Sequence, residues 1–221
     1  MTDPQLTHIE FLLDRSGSMQ SIRHDIEGGF DAFVGEQRKG AGRCTVSLAQ
    51  FDDTYEVVYT DVPVQDVPPL NLVPRGSTAL LDAIARTIDS LGERLAALPE
   101  HERPGSVIVP IMTDGMENSS RRFGYPQIKA MIERQEGVYD WTFLYMGADQ
   151  DAIEVGRQMG IPAARSMDFG RGSSRVAYAE MGTNLLNVRL AAARGGSGRE
   201  KKAAAEFSPE QRRKASGPEP R

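Results

Sequence analysis

Three oxygen-bearing side chains follow the first apolar run of the chain at alternating positions. The stretch FLLDRSGSM places Asp14, Ser16 and Ser18 directly after that run. A second aspartate, Asp114, ends the later apolar run SVIVPIMTDG, and Thr78 precedes a helical pattern. Two carboxylates and three hydroxyls, with no thiolate or imidazole beside them, suit a hard divalent cation. Mg²⁺ fits this donor set best, and Mn²⁺ and Ca²⁺ are the alternatives.

Hydrophobic periodicity predicts that strands and helices alternate between these residues. Apolar runs bounded by turn residues indicate strands, and apolar stripes at helical spacing indicate helices. The predicted strands are 6–13, 43–51, 55–62, 106–115, 140–148 and 164–169, and the predicted helices are 20–38, 79–97, 125–135, 150–159 and 173–193.

The alternation predicts an α/β fold. We expect a Rossmann-like, doubly wound and mainly parallel sheet, with helices on both faces and one antiparallel hairpin strand at an edge. The short link at residues 52–54 indicates the hairpin. Ligands of such sheets bind at the carboxyl ends of the strands, where both Asp14 and Asp114 fall. Pro110 cannot donate a ladder hydrogen bond, so we expect a bulge or a missing bond there.

Charge and composition exclude several classes of ligand. The 221-residue chain has a formal net charge of −5, and residues 195–221 hold seven Lys/Arg against four Asp/Glu, so the acidic excess lies in residues 1–194. Nucleic acid is not expected as a partner, because phosphate contacts need a basic surface. No apolar run reaches the roughly 18 residues of a membrane span, and no secretory signal precedes the first strand. Together with the single cysteine, Cys44, these features predict a cytoplasmic protein without a membrane partner.

The composition changes near Gly195, where the polar stretch GGSGREKKAAAE begins. We therefore predict one domain over residues 1–194 and a flexible polar C-terminal tail over residues 195–221. Within the tail, the stretch SPEQ at residues 208–211 has the form of a capping box with proline at the first helical position. This pattern predicts a short helix.

The sequence carries a family resemblance in DRSGS at residues 14–18, Thr78 within RGSTALLDAI, and TDG at residues 113–115. These motifs resemble the metal-ion-dependent adhesion site (MIDAS) of von Willebrand factor type A (VWA) domains. The family pattern is Asp-x-Ser-x-Ser, a distant Thr and a distant Asp, and all five positions are matched in order. The resemblance covers roughly residues 5–170 and implies a bacterial intracellular type of VWA protein.

The resemblance also implies a role for each matched residue. Ser16, Ser18 and Thr78 would coordinate the cation directly, and Asp14 and Asp114 would bind it mainly through water. The implied activity is protein binding without catalysis. An unidentified partner protein would offer an Asp or Glu side chain to the cation.

Five further residues are candidates for a rim that contacts the partner. They are Arg75, Ser77, Glu117, Asn118 and Asp149. A solvated loop is the alternative for Glu117 and Asn118, and a helix cap is the alternative for Asp149.

Each donor also has an ordinary structural explanation. Ser16, Ser18 and Thr78 could cap the helices that follow them, and Asp14 and Asp114 could accept backbone hydrogen bonds in strand-end turns. The coincidence of all five favours the cation site.

Two other functions stay open at the level of the sequence. A Mg²⁺-dependent phosphohydrolase could use Asp14, although Ser16 stands where a second aspartate would be needed. The chain has neither a phosphate-binding P-loop motif nor a Gly-x-Ser-x-Gly elbow. A scaffold in which the cation only stabilises the fold is the other alternative.

Overall fold

One sheet runs through the computed structural model, which describes residues 2–148 and 151–217. Its strands are β1 (Asp3–Asp14), β2 (Arg43–Phe51), β3 (Tyr55–Pro63), β4 (Pro104–Thr113), β5 (Thr142–Ala148) and β6 (Ser166–Phe169). Their order is β3-β2-β1-β4-β5-β6, in which β3 is antiparallel to β2 and all other neighbours are parallel. The predicted α/β fold with an antiparallel edge strand is confirmed.

Helices cover both faces of this sheet. They are α1 (Arg23–Gln37), α2 (Leu80–Ala97), α3 (Tyr125–Val138), α4 (Ala152–Gln158), α5 (Ser174–Ala193), α6 (Gly198–Ala204) and α7 (Pro209–Ser216). One apolar cluster joins the sheet to α1, α5 and α7, and a second joins it to α2, α3 and α4. No helix in the described ranges is long and apolar enough to cross a bilayer.

Aromatic side chains hold α1 and α5 against β1. The rings of Phe11, Phe30, Phe33 and Tyr178 lie with their centroids 5.2 to 6.5 Å apart, and all four are buried. A Cβ added at Gly29 would lie 2.5 Å from the Tyr178 ring. Glycine weakens a helix interior, but here it allows the two helices to approach closely.

Pro110 lies within β4 and leaves the register of the sheet unchanged. The β1–β4 pairing has the same offset at Ile9–Ile108 and at Leu12–Ile111, and the ladder is interrupted between these pairs. The expected bulge is therefore wrong at this position, and the expected missing bond is the correct alternative. Proline lacks the N–H group that the ladder would use.

The amino ends of the parallel strands form the edge of the sheet opposite to Asp14. Trp141, the single tryptophan of the chain, immediately precedes β5 at that edge. It is 4% exposed, and its ring centroid lies 6.2 Å from that of Phe143. Trp141 is therefore a core residue.

A buried carboxylate of β1 forms an ion pair with Arg94 of α2. Glu10 is 1% exposed, and its carboxylate accepts hydrogen bonds from Arg94 at 2.6 Å and from His8 at 3.0 Å. Burial raises the pKa of Glu10, but the hydrogen bond from His8 and the charges of His8 and Arg94 outweigh it, so the pKa lies below its ordinary value. Glu10 therefore contributes stability above its ordinary pKa of 4.5, and this contribution is lost as pH falls through the lowered value.

We expect Glu10→Gln to destabilise the protein at pH 7 by about 2 kcal/mol, because it removes the charged acceptor that the partly buried Arg94 contacts at 2.6 Å. The difference from wild type should shrink at pH values at which wild-type Glu10 is itself protonated in the folded protein. Urea unfolding at pH 7 and at successively lower pH measures both quantities. Glu93→Gln, which removes an exposed carboxylate from α2, is the matched control. A pH-independent difference would contradict this account.

Residues 195–217 differ from the flexible tail that their composition predicts. Phe207 and Ala215 are buried, and the Phe207 N–H donates to the Ala164 carbonyl at 2.7 Å. Lys201 forms an ion pair with Asp140 at 2.8 Å. A few apolar anchors and long basic side chains hold this polar segment on the domain, and average composition does not reveal such anchors. The boundary at residue 194 stays a prediction.

The capping box predicted at residues 208–211 is confirmed. The Ser208 hydroxyl accepts a hydrogen bond from the Gln211 N–H at 3.2 Å, and the Gln211 side chain accepts one from the Ser208 N–H at 2.8 Å. These bonds satisfy two of the N–H groups that a helix start leaves unpaired, so α7 begins at Pro209.

Candidate functional site

The five predicted donors lie together at the carboxyl ends of β1 and β4. Asp14 is the last residue of β1, Asp114 follows β4 directly, and Ser16 and Ser18 lie in the turn after β1. Thr78 lies two residues before α2. These elements meet here because β1 and β4 are neighbouring parallel strands, so their carboxyl ends share one edge.

Hydrogen bonds involve four of the five donor side chains and also Thr113, the last residue of β4. The Ser16 and Ser18 hydroxyls are 3.0 Å apart, and Ser18 donates to Asp114 at 2.5 Å. The Thr113 hydroxyl donates to Asp14 Oδ2 at 2.5 Å, and the Ser16 N–H donates to Asp14 Oδ1 at 2.6 Å. The two carboxylates are thus joined to the hydroxyls across two strands.

Gly115 shows that Thr78 belongs to the same group. A Cβ added at Gly115 would lie 2.7 Å from Thr78 Oγ1 and 3.4 Å from both Asp14 Oδ2 and Ser16 Oγ. Three of the predicted donor oxygens therefore surround one small space, and the hydrogen in place of a side chain at Gly115 keeps that space open.

The capping alternative does not hold for two of the hydroxyls. Ser16 precedes the short 3-10 turn Gly17–Ser21 but makes no side-chain capping bond. Helix α2 is flanked by Ala79, so Thr78 is not its cap. The turn alternative holds in part, because Asp14 accepts the backbone N–H of Ser16.

The electrostatics of the site favour a positive ligand. Asp14 is fully buried, and burial raises its pKa to about 6, to which the nearby charge of Asp114 adds. The hydrogen bonds from Thr113 and Ser16 act in the opposite direction. Because two carboxylates are buried at one edge, a bound cation would relieve an unfavourable arrangement of like charges.

The donor chemistry fits a hard divalent cation. In the part of the chain that the structure describes, no group of three or more His, Cys, Asp or Glu residues could hold a metal ion. A site made of hydroxyls and two carboxylates is different from such a group and matches the oxygen preference of Mg²⁺. The donor residues therefore fit the hard divalent cation that the sequence predicts.

The rim candidates have mixed positions. Asn118 holds the backbone of Thr78 in place, since its side chain accepts a hydrogen bond from the Thr78 N–H at 2.9 Å. Glu117 points into the loop and accepts the N–H groups of Leu81, Ser119 and Ser120 at 2.8 to 3.0 Å. Asp149 lies outside the described residues.

Arg75 and Ser77 lie on the exposed side of the site. Arg75 forms an ion pair at 2.9 Å with the fully buried Asp52, whose carboxylate Arg15 also contacts at 2.9 Å. Burial raises the pKa of Asp52, but hydrogen bonds from Thr54 and Arg75 and the charge of Arg15 hold it well below its usual range. Arg75 therefore anchors the loop that delivers Thr78.

A groove of about 670 Å³ opens next to the donors and runs along α2. Ser77 and Ser119 line it near Thr78, and its walls carry charges of both signs, from Arg86, Arg121 and Arg122 and from Asp82, Asp89 and Glu93. The backbone N–H groups of both Arg121 and Arg122 donate to the Asp82 carboxylate, so this wall is fixed to the first turn of α2. The groove offers space for residues that flank a bound side chain.

Sequence reasoning missed three residues of the site. Thr113 and Gly115 stood inside the quoted TDG motif, where their neighbours in sequence gave a signal, but their contacts with Asp14 and Thr78 depend on the sheet. Arg171 gave no signal at all. It reaches Asp114 from the turn after β6, with its Nη2 3.7 Å from Asp114 Oδ2.

No protein-family model and no curated protein matches the sequence. Solved structures do match. A von Willebrand factor type A protein from Catenulispora acidiphila gives a TM-score of 0.56 at 15% identity, over 82% of this chain and 43% of that one. Proximal thread matrix protein 1 from the mussel byssus, with a zinc-occupied MIDAS motif, gives 0.54 at 17% identity, over 84% and 46%. The von Willebrand factor domain of the type V pili tip protein Mfa5 from Porphyromonas gingivalis gives 0.53 at 11%, over 80% and 93%.

These similarities identify the fold. The chain has the VWA fold, and the resemblance predicted from DRSGS, Thr78 and TDG is confirmed at that level. The chain spans less than half of the length of the first solved structures that it matches, at 44%, 43% and 48%. The assignment to a bacterial intracellular type and the cytoplasmic location stay predictions.

Proposed function

We propose that this VWA fold is a cation-dependent protein-binding module. Asp14, Ser16, Ser18, Thr78 and Asp114 would hold one divalent cation, with Mg²⁺ as the first choice. An Asp or Glu side chain of a partner protein would then bind at the loaded site. The convergence of three donor oxygens on the space beside Gly115 is the observation that supports this proposal most directly.

The neutral and the charged donors would bind the cation in different ways. The neutral hydroxyls of Ser16, Ser18 and Thr78 would be direct ligands, and the Asp14 and Asp114 carboxylates would balance the charge mainly through water. When bound, the cation would supply an electrophilic position that takes a carboxylate oxygen. Zinc in the MIDAS motif of the mussel protein supports divalent binding in this fold.

The partner would present its acidic side chain from a segment able to lie across the exposed edge of the sheet. Ser77 and the groove along α2 adjoin the donors, and Arg75 lies exposed on the same side. Residues on either side of the acidic group would contact these surfaces. No catalytic role is proposed for any residue of the site.

Gly115→Ala is expected to weaken Mg²⁺ binding by at least about ten-fold, equivalent to about 1.4 kcal/mol. The added methyl group would fill the space between Thr78, Asp14 and Ser16, and the Gly115 backbone does not have the positive φ that would itself exclude alanine. Calorimetric titration of Mg²⁺ and Mn²⁺ measures the loss. Thermal unfolding without metal should show some loss of stability, because the Cβ would lie 2.7 Å from Oγ1 of the buried Thr78, so affinity is measured at a temperature at which the variant is folded.

Gly92→Ala is the matched control, because a Cβ there meets no atom within 4 Å. It should bind the cation like wild type. Partner capture should follow the same order: present with Mg²⁺, lost with EDTA and lost in Gly115→Ala. Capture that is equal in all these conditions would overturn the proposal. Mg²⁺-dependent hydrolysis of p-nitrophenyl phosphate that Asp14→Asn abolishes would instead support the phosphohydrolase alternative.

A further inference from the structure

Arg171 brings a positive charge to the site from a distant part of the chain. It begins the 3-10 turn Arg171–Ser173, between β6 and α5. Its Nη2 lies 3.7 Å from Asp114 Oδ2, and its Nη1 donates to the Ser21 hydroxyl at 3.2 Å. The guanidinium group therefore lies between the buried Asp114 and the turn that carries Ser18.

The backbone around Arg171 is tied down on both sides. The Gly170 N–H donates to the Ala215 carbonyl of α7 at 3.0 Å, and the Ser174 hydroxyl donates to the Arg171 carbonyl at 3.1 Å. The side chain is 41% exposed, whereas the Asp114 side chain is fully buried. Arg171 thus has a defined position with one side open to solvent.

We propose that Arg171 sets the charge of the loaded site, so that it lowers the affinity for the cation and raises the affinity for the acidic group of the partner. This inference rests on the proposed function. Arg171 places a positive charge 3.7 Å from Asp114, next to the site at which the divalent cation would bind. Arg171 repels the incoming cation and attracts the incoming carboxylate by the same Coulomb interaction.

The expected effects of Arg171 on cation affinity and on carboxylate affinity have opposite signs. This difference distinguishes an electrostatic role of Arg171 from a purely structural one. A side chain that only holds the turn in place would, when removed, weaken both binding steps together. A side chain that supplies charge would, when removed, strengthen the first step and weaken the second. A free carboxylate such as acetate contains the group that the partner would offer, so it can stand in for the partner in the test.

The test uses Mn²⁺ as the cation and acetate as the carboxylate. Calorimetry gives the affinity for Mn²⁺, and the relaxation of water protons around protein-bound Mn²⁺ reports acetate that displaces bound water. Arg171→Ala is expected to bind Mn²⁺ roughly ten-fold more tightly than wild type and acetate several-fold more weakly. Arg171→Lys should restore both affinities towards wild type, because it keeps the charge.

Arg175→Ala is the control for net charge. It removes an arginine four residues along the chain whose Nε lies 3.3 Å from Asp25. It should leave both affinities unchanged. Equal affinities in wild type and Arg171→Ala, or changes of the same sign in both steps, would overturn the inference while leaving the proposed function intact. Failure of wild-type protein to bind Mn²⁺ would instead overturn the proposed function.

Discussion

Asp14→Asn is expected to abolish the stabilisation of the protein by Mg²⁺ or Mn²⁺. Asparagine has nearly the shape of aspartate, and its oxygen can still accept the N–H of Ser16 that Asp14 accepts at 2.6 Å. It lacks the charge that would balance a cation. At a free cation concentration 100 times the dissociation constant, wild type gains about 2.7 kcal/mol, and the variant should gain nothing.

The metal-free variant is not expected to be less stable than wild type. Burial raises the pKa of Asp14, which means that the folded protein holds the charged carboxylate at a cost. Removing that charge relieves the cost. The loss of the cation effect is therefore separable from any general loss of folding.

Thermal unfolding with EDTA and with a series of Mg²⁺ concentrations measures this prediction. Asp53→Asn is the matched control, since it removes an exposed carboxylate next to the buried Asp52. It should keep the full cation effect. An Asp14→Asn protein that Mg²⁺ still stabilises like wild type would show that Asp14 is not part of the cation site.

Arg189→Met is expected to destabilise the fold by about 3–5 kcal/mol, the cost of leaving several buried carbonyl groups without their donor. Arg189 is 2% exposed in the last third of α5, and its guanidinium donates to the backbone carbonyls of Gln37, Gly40, Ala41 and Gly42 at 2.5 to 3.3 Å. These carbonyls end α1 and lead into β2. Methionine fills most of the volume but donates nothing, so the carbonyls would be left buried without these hydrogen bonds.

Urea unfolding measures the free energy of unfolding of this variant. Arg194→Met removes an exposed guanidinium directly after the end of α5 and is expected to change stability by less than about 0.5 kcal/mol. Cation affinity should be unchanged in whatever fraction of Arg189→Met remains folded, because the contacts of Arg189 lie at the end of α1. Equal stability of the two variants would refute the assignment.

Much of the fold follows from apolar spacing. The stripes of α1 and α2 predict which residues are buried, as Ile26, Phe30, Ile84 and Ile88 show. The apolar residues of α5 fit such a stripe only in part. Val176 and Leu190 are 36% and 39% exposed, whereas Arg189 is buried. A prediction from apolar periodicity places arginine at the surface. Arg189 is buried because the carbonyl groups at the end of α1 and in the following turn accept hydrogen bonds from its guanidinium.

Some residues of the candidate site could likewise be predicted from the sequence, and others could not. Asp14, Ser16 and Ser18 could be found because their spacing is local and follows a strand. Thr78 and Asp114 could be added because strands and helices predict where their ends meet. Arg171 could not be found from the sequence, since it approaches Asp114 through space and its neighbours in sequence give no sign of that approach.

Because of the position of Trp141, unfolding of this protein and occupancy of its site can be followed by different optical signals. Its indole lies at the amino ends of the parallel strands, whereas Asp14 and Asp114 lie at the carboxyl ends. Its emission should therefore report loss of the core during denaturation and remain silent while ligands are titrated. One cuvette can thus follow unfolding through intrinsic fluorescence and ligand occupancy through a separate probe.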